Sequence, residues 1–444
     1  MLDEGDADGV GGAGADFDIA VVGAGPAGAI AACAAARRGL RVALIDRSTF
    51  PRDKTCGDGI GPGAVRVLRE LGLDAVLAGR PRIAAVTVFG PAGERSENPV
   101  PEIRGKSTDV FVVPRLELDE HLFRAALAAG AEDLSGNRYL GMSGPDERAR
   151  IVELRDASGA HRKLRAHLVI GADGAYSAVR KDLVGRDRPK QKFLGIAMRA
   201  YAQSPDFDAA GADGAGPSML FEFNRELLPS YGWVFPVGDG VINVGVGLPI
   251  AQLRERGTDI RRLLADFVGR LRERGVRIGE LREERGHQLP AVIGMPRLAY
   301  RRAALVGDAA SMINPVSGEG IAYGMTAARR LIEALPDDLA HGPALDAASA
   351  RFEREFRADH RLHFLSCRLT MAMLRHAAPA SVIVRAIQND PRVLGGVFDM
   401  LFGDGRLHGT TALRIVGSAF AGSSSAASTA ASPGSPGPGS ASSS

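Results

Sequence analysis

Cysteine is scarce in this chain of 444 residues: Cys33, Cys56 and Cys367 are all it has. Their spacing matches neither a metal-ligand pattern nor a disulfide framework, so no metal site is expected and a reducing cytoplasm is. No apolar run reaches about 18 residues, which argues against a membrane-spanning helix. The net charge of +3 is small, and no basic block interleaved with aromatics is present, so a nucleic-acid partner is not expected. Arginine far outnumbers lysine, which reads as codon bias rather than phosphate binding. The first residues, MLDEGDADGVGGAGAD, are acidic and glycine-rich rather than basic then apolar, so a secretory leader is not expected. No internal repeat is evident. A hydrophobic content of 45% and a mean hydropathy near zero fit a globular protein of two or three structural units.

What the chain does carry is concentrated between Phe17 and Asp46, FDIAVVGAGPAGAIAACAAARRGLRVALID. An apolar strand enters a turn at Gly23, Gly25 and Gly28, a helix of small residues follows, and a second apolar strand ends in Asp46. Strand, G-x-G-x-x-G, helix, strand and carboxylate in this order define a dinucleotide site. Gly23 permits the turn, and Gly25 lets the backbone approach a pyrophosphate held by the helix N-terminus. Gly28 allows close helix–strand packing, and Asp46 can accept hydrogen bonds from a ribose.

Further along, the pattern changes several times. Residues 63–73 have helical apolar spacing, RIAAVTVFGP reads as a strand, and PRLELDEHLFRAALAAG, from Pro114, as a helix with a leading proline. AHLVIGADGAYSAVRKDL, from Ala166, reads as strand, tight turn and helix. From about Lys192 to Leu248 alternating stretches suggest a sheet facing something apolar. AALVGDAASMINPVSGEGIAYGM, from Ala303, returns to strand, loop and helix, and residues from about Leu345 to Arg414 look mainly helical. The last stretch, Ser/Ala/Pro/Gly-rich, is too polar to pack.

VIGADG places Asp173 just beyond a buried strand, which alone is equally an ordinary turn. LVGDAA repeats the arrangement with Asp308, and NPVSGEGIAYGM supplies Gly318 and Gly320 at a helix start. Together these motifs resemble the FAD-dependent oxidoreductases that include aromatic hydroxylases, halogenases and geranylgeranyl reductases. FPRDKTCGDGI, with Cys56, Gly57 and Gly59, is similar to the CG-x-G segment of the geranylgeranyl reductases, which borders the flavin. LPSYGWVFPVGDGVINVGVG is similar to their Y-x-W-x-F-P segment, which lines a long substrate cavity and here supplies Tyr231, Trp233, Phe235 and Pro236. The halogenase signature W-x-W-x-I-P is absent.

The resemblance implies an α/β architecture. A Rossmann-like FAD-binding domain (17–190, completed by 295–335) would carry an inserted, mainly antiparallel β-sheet substrate domain (191–294). A helical C-terminal region (336–416) would follow, with a disordered arm (1–16) and tail (417–444). It implies FAD as cofactor, with Asp308 on its ribityl or phosphate part, Gly320 and Ile321 beside the isoalloxazine, and Arg115 nearby. Gly23, Gly25, Ala27, Gly28, Asp46, Arg47, Cys56, Gly57, Gly59, Asp173 and Gly318 complete the expected cofactor set. Asp133 stands where a small apolar residue would meet the adenine, so no adenine contact is assigned.

The implied activity is saturation of carbon–carbon double bonds in an isoprenoid or similarly long apolar substrate. Cys56 is the candidate catalytic residue, as proton donor or as a positioning group beside the flavin; the alternative is a small residue that only packs there. Tyr231, Trp233 and Phe235 alternate and share one face of a strand, as a wall for substrate or as plain core. Lys54 either offsets phosphate charge or is simply solvated. A flavin monooxygenase and a non-redox flavoprotein scaffold are the rival functions. No second G-x-G-x-x-G is present, so the external electron donor, NADPH or a ferredoxin-like protein, stays open, as does the oligomeric state. The helix from Leu362 carries Arg361, Arg368 and Arg375 at heptad spacing. It either lies on an anionic membrane surface, giving peripheral contact at the inner face, or packs on its own domain with a solvated face.

Overall fold

The strand Phe17–Val22, buried almost throughout, sits at the centre of a mainly parallel sheet. Val42–Asp46 pairs with it on one side and His161–Gly171 on the other, both in parallel. Glu132–Ser135 continues beyond the first and Ala303–Leu305 beyond the second. In chain order the five strands therefore stand 3-2-1-4-5, and the order reverses at Phe17–Val22. Loops leaving neighbouring strand ends part company at such a point and open a crevice at the carboxyl edge. The helix Pro26–Arg37, rich in alanine, packs against the later helices Arg115–Ala128 and Ile321–Ala334. Cys33, at 0% exposure, belongs to this core.

The computed structural model describes residues 15–146, 148–185, 194–207, 216–290, 297–403, 405, 409–415 and 417. Almost all of the expected tail and of the expected arm lie outside these residues. The junctions expected near 190 and 295 do too.

A second sheet of seven strands runs in the order Arg282–Pro290, Leu194–Gln203, Val241–Pro249, Gly232–Gly238, Ser218–Glu222, Ala85–Phe89, Arg95–Pro99. Its pairs are antiparallel except Ser218–Glu222 with Ala85–Phe89. The last two strands come from inside the stretch expected to belong wholly to the first domain. They join here because Val86 and Val88 extend the same apolar face. Alternation in this sheet serves two buried faces rather than one. Val234, Val244, Val246 and Leu248 pack on the helix Ile260–Glu273 through Leu264, Phe267 and Leu271. Trp233, Phe235, Met219 and Phe221 face the other way and cluster with Val110, Val112, Val384 and Phe398. The C-terminal region is helical: Gly342–Met373, Ala377–Asn389 and Pro391–Phe402 close one end of the space between the sheets. Cys367 is buried on the long helix, near His363 at 3.7 Å.

Candidate active site

A single cavity of about 1280 Å³ runs from the glycine turn of the first sheet to the aromatic face of the second. That exceeds the roughly 300–1000 Å³ of a pocket for one drug-sized ligand, so a large cofactor and a second molecule can share it. Gly23, Gly25, Ala27, Asp46, Arg47, Cys56, Gly57, Gly59, Arg115, Asp173, Asp308, Gly318, Gly320 and Ile321 all line it. So do Tyr231, Trp233 and Phe235. Gly28 and Pro236 do not; Gly28 packs against the Gly23 carbonyl, and Pro236 lies within the sheet next to Phe235.

The glycine turn is shaped for a dinucleotide. Gly23 sits at φ +102°, and a Cβ there would fall 2.3 Å from the Ala172 carbonyl oxygen. A Cβ on Gly28 would fall 1.7 Å from the Gly23 oxygen, so helix and turn touch backbone to backbone. Gly25 differs: a Cβ there would meet only the guanidinium nitrogens of Arg52 at 3.5 Å and Arg115 at 3.9 Å. The Pro26–Arg37 helix begins at Gly25 with no side-chain cap, so its first N–H groups face an open, cationic hollow. That is the donor set a pyrophosphate requires.

The cations are held by a relay of buried pairs. Arg115 makes a bidentate pair with Asp119 at 2.7 Å through both Nε and Nη2. Arg52 reaches Asp119 at 3.0 Å and approaches Asp46 at 3.6 Å. Asp46 itself accepts from the Ala24 and Ser48 N–H groups, both at 2.9 Å, fixing the turn as well as facing the cavity. Arg52 and Asp119 were not anticipated. Their signal, a charged run after Phe50 and an acid one helical turn beyond Arg115, is visible in the sequence.

Asp308 ends the Ala303–Leu305 strand region and is paired with Lys54 at 2.9 Å. Burial pushes its carboxyl upward, but the charge and hydrogen bond of Lys54, with Arg115 beside them, outweigh this and hold it below the usual range. Lys54 is thus a partner in the cavity rather than a solvated loop lysine. Asp173 spends both oxygens on capping the Ala178–Val184 helix, receiving Ser177 Oγ at 2.5 Å and the Ala178 N–H at 2.6 Å. Burial nevertheless raises its pKa.

Around Cys56 a buried polar cluster was also missed. Asp58, fully buried, accepts from Tyr201 Oη at 2.5 Å and Asn243 Nδ2 at 2.7 Å. Burial pushes its carboxyl up to about 6 against the pull of these donors. Asn243 also donates to the Cys56 carbonyl at 2.8 Å and accepts from Trp233 Nε1 at 3.0 Å. Burial raises the Cys56 thiol above its ordinary value. At the other wall, Tyr231 Oη donates to the Ser317 carbonyl. Glu319, between Gly318 and Gly320, accepts from the Ala322 N–H at 2.7 Å, and burial lifts it to about 7. His287, half-buried near Lys54, is lowered to about 4 by desolvation and by the Lys54 charge.

Fold and cradle together define an FAD-dependent oxidoreductase. A family model described as an FAD binding domain matches residues 16–223. A menaquinone reductase of Mycobacterium tuberculosis is 36% identical over 360 residues, covering 78% of this chain and 83% of that protein. A geranylgeranyl diphosphate reductase of Rhodobacter capsulatus is 31% identical over 340 residues, covering 76% and 79%. The chain belongs to the geranylgeranyl reductase family of these flavoproteins. A solved geranylgeranyl bacteriochlorophyll reductase-like structure from Thermoplasma acidophilum has the same fold, with a TM-score of 0.63 at 20% identity, covering 90% of this chain and 95% of that one.

Proposed function

We propose that the protein saturates carbon–carbon double bonds in a polyisoprenoid chain, and that a menaquinone is the first substrate to try. The observation that carries the reading is the wall of Tyr231, Trp233 and Phe235 in the cavity that also contains the glycine cradle. Both polar handles of that wall are already spent inside the protein, Trp233 Nε1 on Asn243 and Tyr231 Oη on Ser317. What remains for a ligand is ring surface, with Met219 and Leu289 alongside. A surface with no free donor recognises a molecule with nothing to accept, and each methylene buried there gains about 0.8 kcal/mol. The choice of a menaquinone follows the 36% identity to proteins of that name.

Gly25, Arg52, Arg115, Lys54 and Asp308 would hold the FAD, with Gly318, Gly320 and Ile321 beside its ring. Once reduced, bound FAD supplies a hydride to one alkene carbon. Cys56 would give a proton to the other: its thiol, raised by burial, stays protonated until charge develops next to it. Asn243, itself held by Asp58, fixes the Cys56 carbonyl, and the aromatic wall would keep water out and the chain extended. Such a substrate resides in a bilayer, so the proposal extends to peripheral contact with the membrane.

The test is to incubate dithionite-reduced protein with menaquinone and with geranylgeranyl lipids, without oxygen, and to weigh the products. Gain of two hydrogens per bond supports the reading. A product one oxygen heavier, formed in air, would point to a monooxygenase, and unchanged mass with altered connectivity to a scaffold.

A further inference from the structure

The long helix Gly342–Met373 has one face in the fold and another that nothing in the described structure covers. His363, Phe364, Cys367 and Thr370 are buried. On the other side Leu362, Leu365, Leu369 and Met373 are 43%, 45%, 58% and 43% exposed. At about 100° per residue these four fall within one arc of roughly 80°. They account for four of the nine large hydrophobics that stand exposed among the described residues. Arg361 and Arg368, also exposed, line one flank of that arc, and Arg375 is exposed in the turn just beyond the helix end. No carboxylate among the described residues lies within ion-pairing distance of them. Between Asp359 and Asp390 the sequence has no acidic residue at all.

This face adjoins the cavity. Arg368, Met371, Ala372 and Arg375 line the cavity itself, so the basic flank turns into its mouth while the leucine strip stays outside. No helix is long and apolar enough to cross a membrane among the described residues. A strip of exposed leucines edged by unpaired arginines is the pattern of a helix that lies in a bilayer interface, with apolar side chains among the acyl tails and guanidinium groups at anionic headgroups.

We propose that residues 361–375 form a docking face for the surface of an anionic bilayer and set the cavity mouth against it. A polyprenyl chain could then pass from lipid to aromatic wall without crossing water. The partner fits the proposed lipid substrate, yet docking is read without turnover, so the two readings can fail separately.

The experiment is co-sedimentation of the FAD-loaded protein with phosphatidylglycerol vesicles and with phosphatidylcholine vesicles, at low and high salt. Binding to the anionic vesicles at least tenfold tighter, weakened by salt, is expected. Leu365→Glu/Leu369→Glu should lose that binding at least tenfold while keeping bound flavin and turnover of a detergent-dispersed substrate. Equal binding of the variant to anionic vesicles overturns the proposal. So does a wild-type dimer in solution that the same variant converts to monomer, because a second copy would then own this face.

Discussion

Asn243 and Asp58, 185 residues apart in sequence, meet at 2.7 Å in the interior, and through them the second sheet grips the Cys56 loop. Asn243 is a hub: it also holds the Cys56 carbonyl and the Trp233 indole. Replacing it with leucine removes three hydrogen bonds and leaves a carboxylate, a carbonyl and an N–H without that partner. Asn243→Leu should lower stability by about 2–4 kcal/mol, measured by urea unfolding. It should also speed maleimide labelling of Cys56, since Cys33 and Cys367 stay buried. Unchanged labelling would mean that the loop is held by something else.

The two glycines Gly25 and Gly28 should respond oppositely to alanine. At Gly28 the new methyl group would overlap the Gly23 backbone, which cannot give way without moving the central strand. Gly28→Ala should therefore lose several kcal/mol, on the order of an overpacked core. At Gly25 the methyl group finds room beside two flexible arginines. Gly25→Ala should unfold close to the wild-type temperature and yet bind flavin at least tenfold more weakly, because it fills the pyrophosphate hollow. Calorimetry with a flavin titration reads both effects. Weak folding of Gly25→Ala would refute the division of labour.

The pair of Lys54 and Asp308 gives a direct probe of the cofactor assignment. Asp308→Ala should yield a folded protein that purifies with little flavin, seen as a loss of visible absorbance relative to protein. Lys54 is partly exposed, so it can turn to water when its partner goes, and the fold should survive. Full flavin occupancy in the variant would remove Asp308 from the cofactor set.

If Cys56 supplies the proton, Cys56→Ser should slow alkene reduction at least tenfold, since a hydroxyl is a far weaker acid, while flavin content stays at the wild-type level. Unchanged turnover would reduce Cys56 to a packing residue.

Local order made much of this architecture legible. Strand, glycine turn, helix and acid are contiguous from Phe17 to Asp46, so their geometry follows from spacing alone. Tyr231, Trp233 and Phe235 were readable as one face because a strand has a period of two. Pairings across long separations were not. Lys54 finds Asp308 254 residues away, and no local rule distinguishes it from a solvated loop lysine. Asp58 lay inside the noticed CG-x-G segment, but its partners Tyr201 and Asn243 sit on two strands of another sheet. Asn243 offered a clue, a polar residue inside the apolar run GVINVGVG. The Ala85–Pro99 hairpin reads as strand, but its sheet is set by a parallel partner more than a hundred residues later.

Glu319 makes the pH dependence of the flavin-free protein predictable in sign. Its carboxyl has an ordinary value near 4.5 and is lifted to about 7 in the fold by burial, with the Ala322 and Ile321 N–H groups opposing. The folded state thus binds its proton more tightly than the unfolded chain. The contribution to stability is fully present below pH 4.5 and is lost as pH rises through 7. A shift of that size corresponds to about 3 kcal/mol at most, at about 1.4 kcal/mol per unit. Glu319→Gln keeps an oxygen for the Ala322 N–H but cannot ionise. In urea titrations at pH 5, 6, 7 and 8 the wild-type protein should fall progressively relative to this variant, with the gap widening between pH 5 and 7 and flat above about 8. Asp58 titrates in both proteins and cancels in the difference. Parallel profiles over the whole range would show that Glu319 keeps an ordinary carboxylate pKa in the fold.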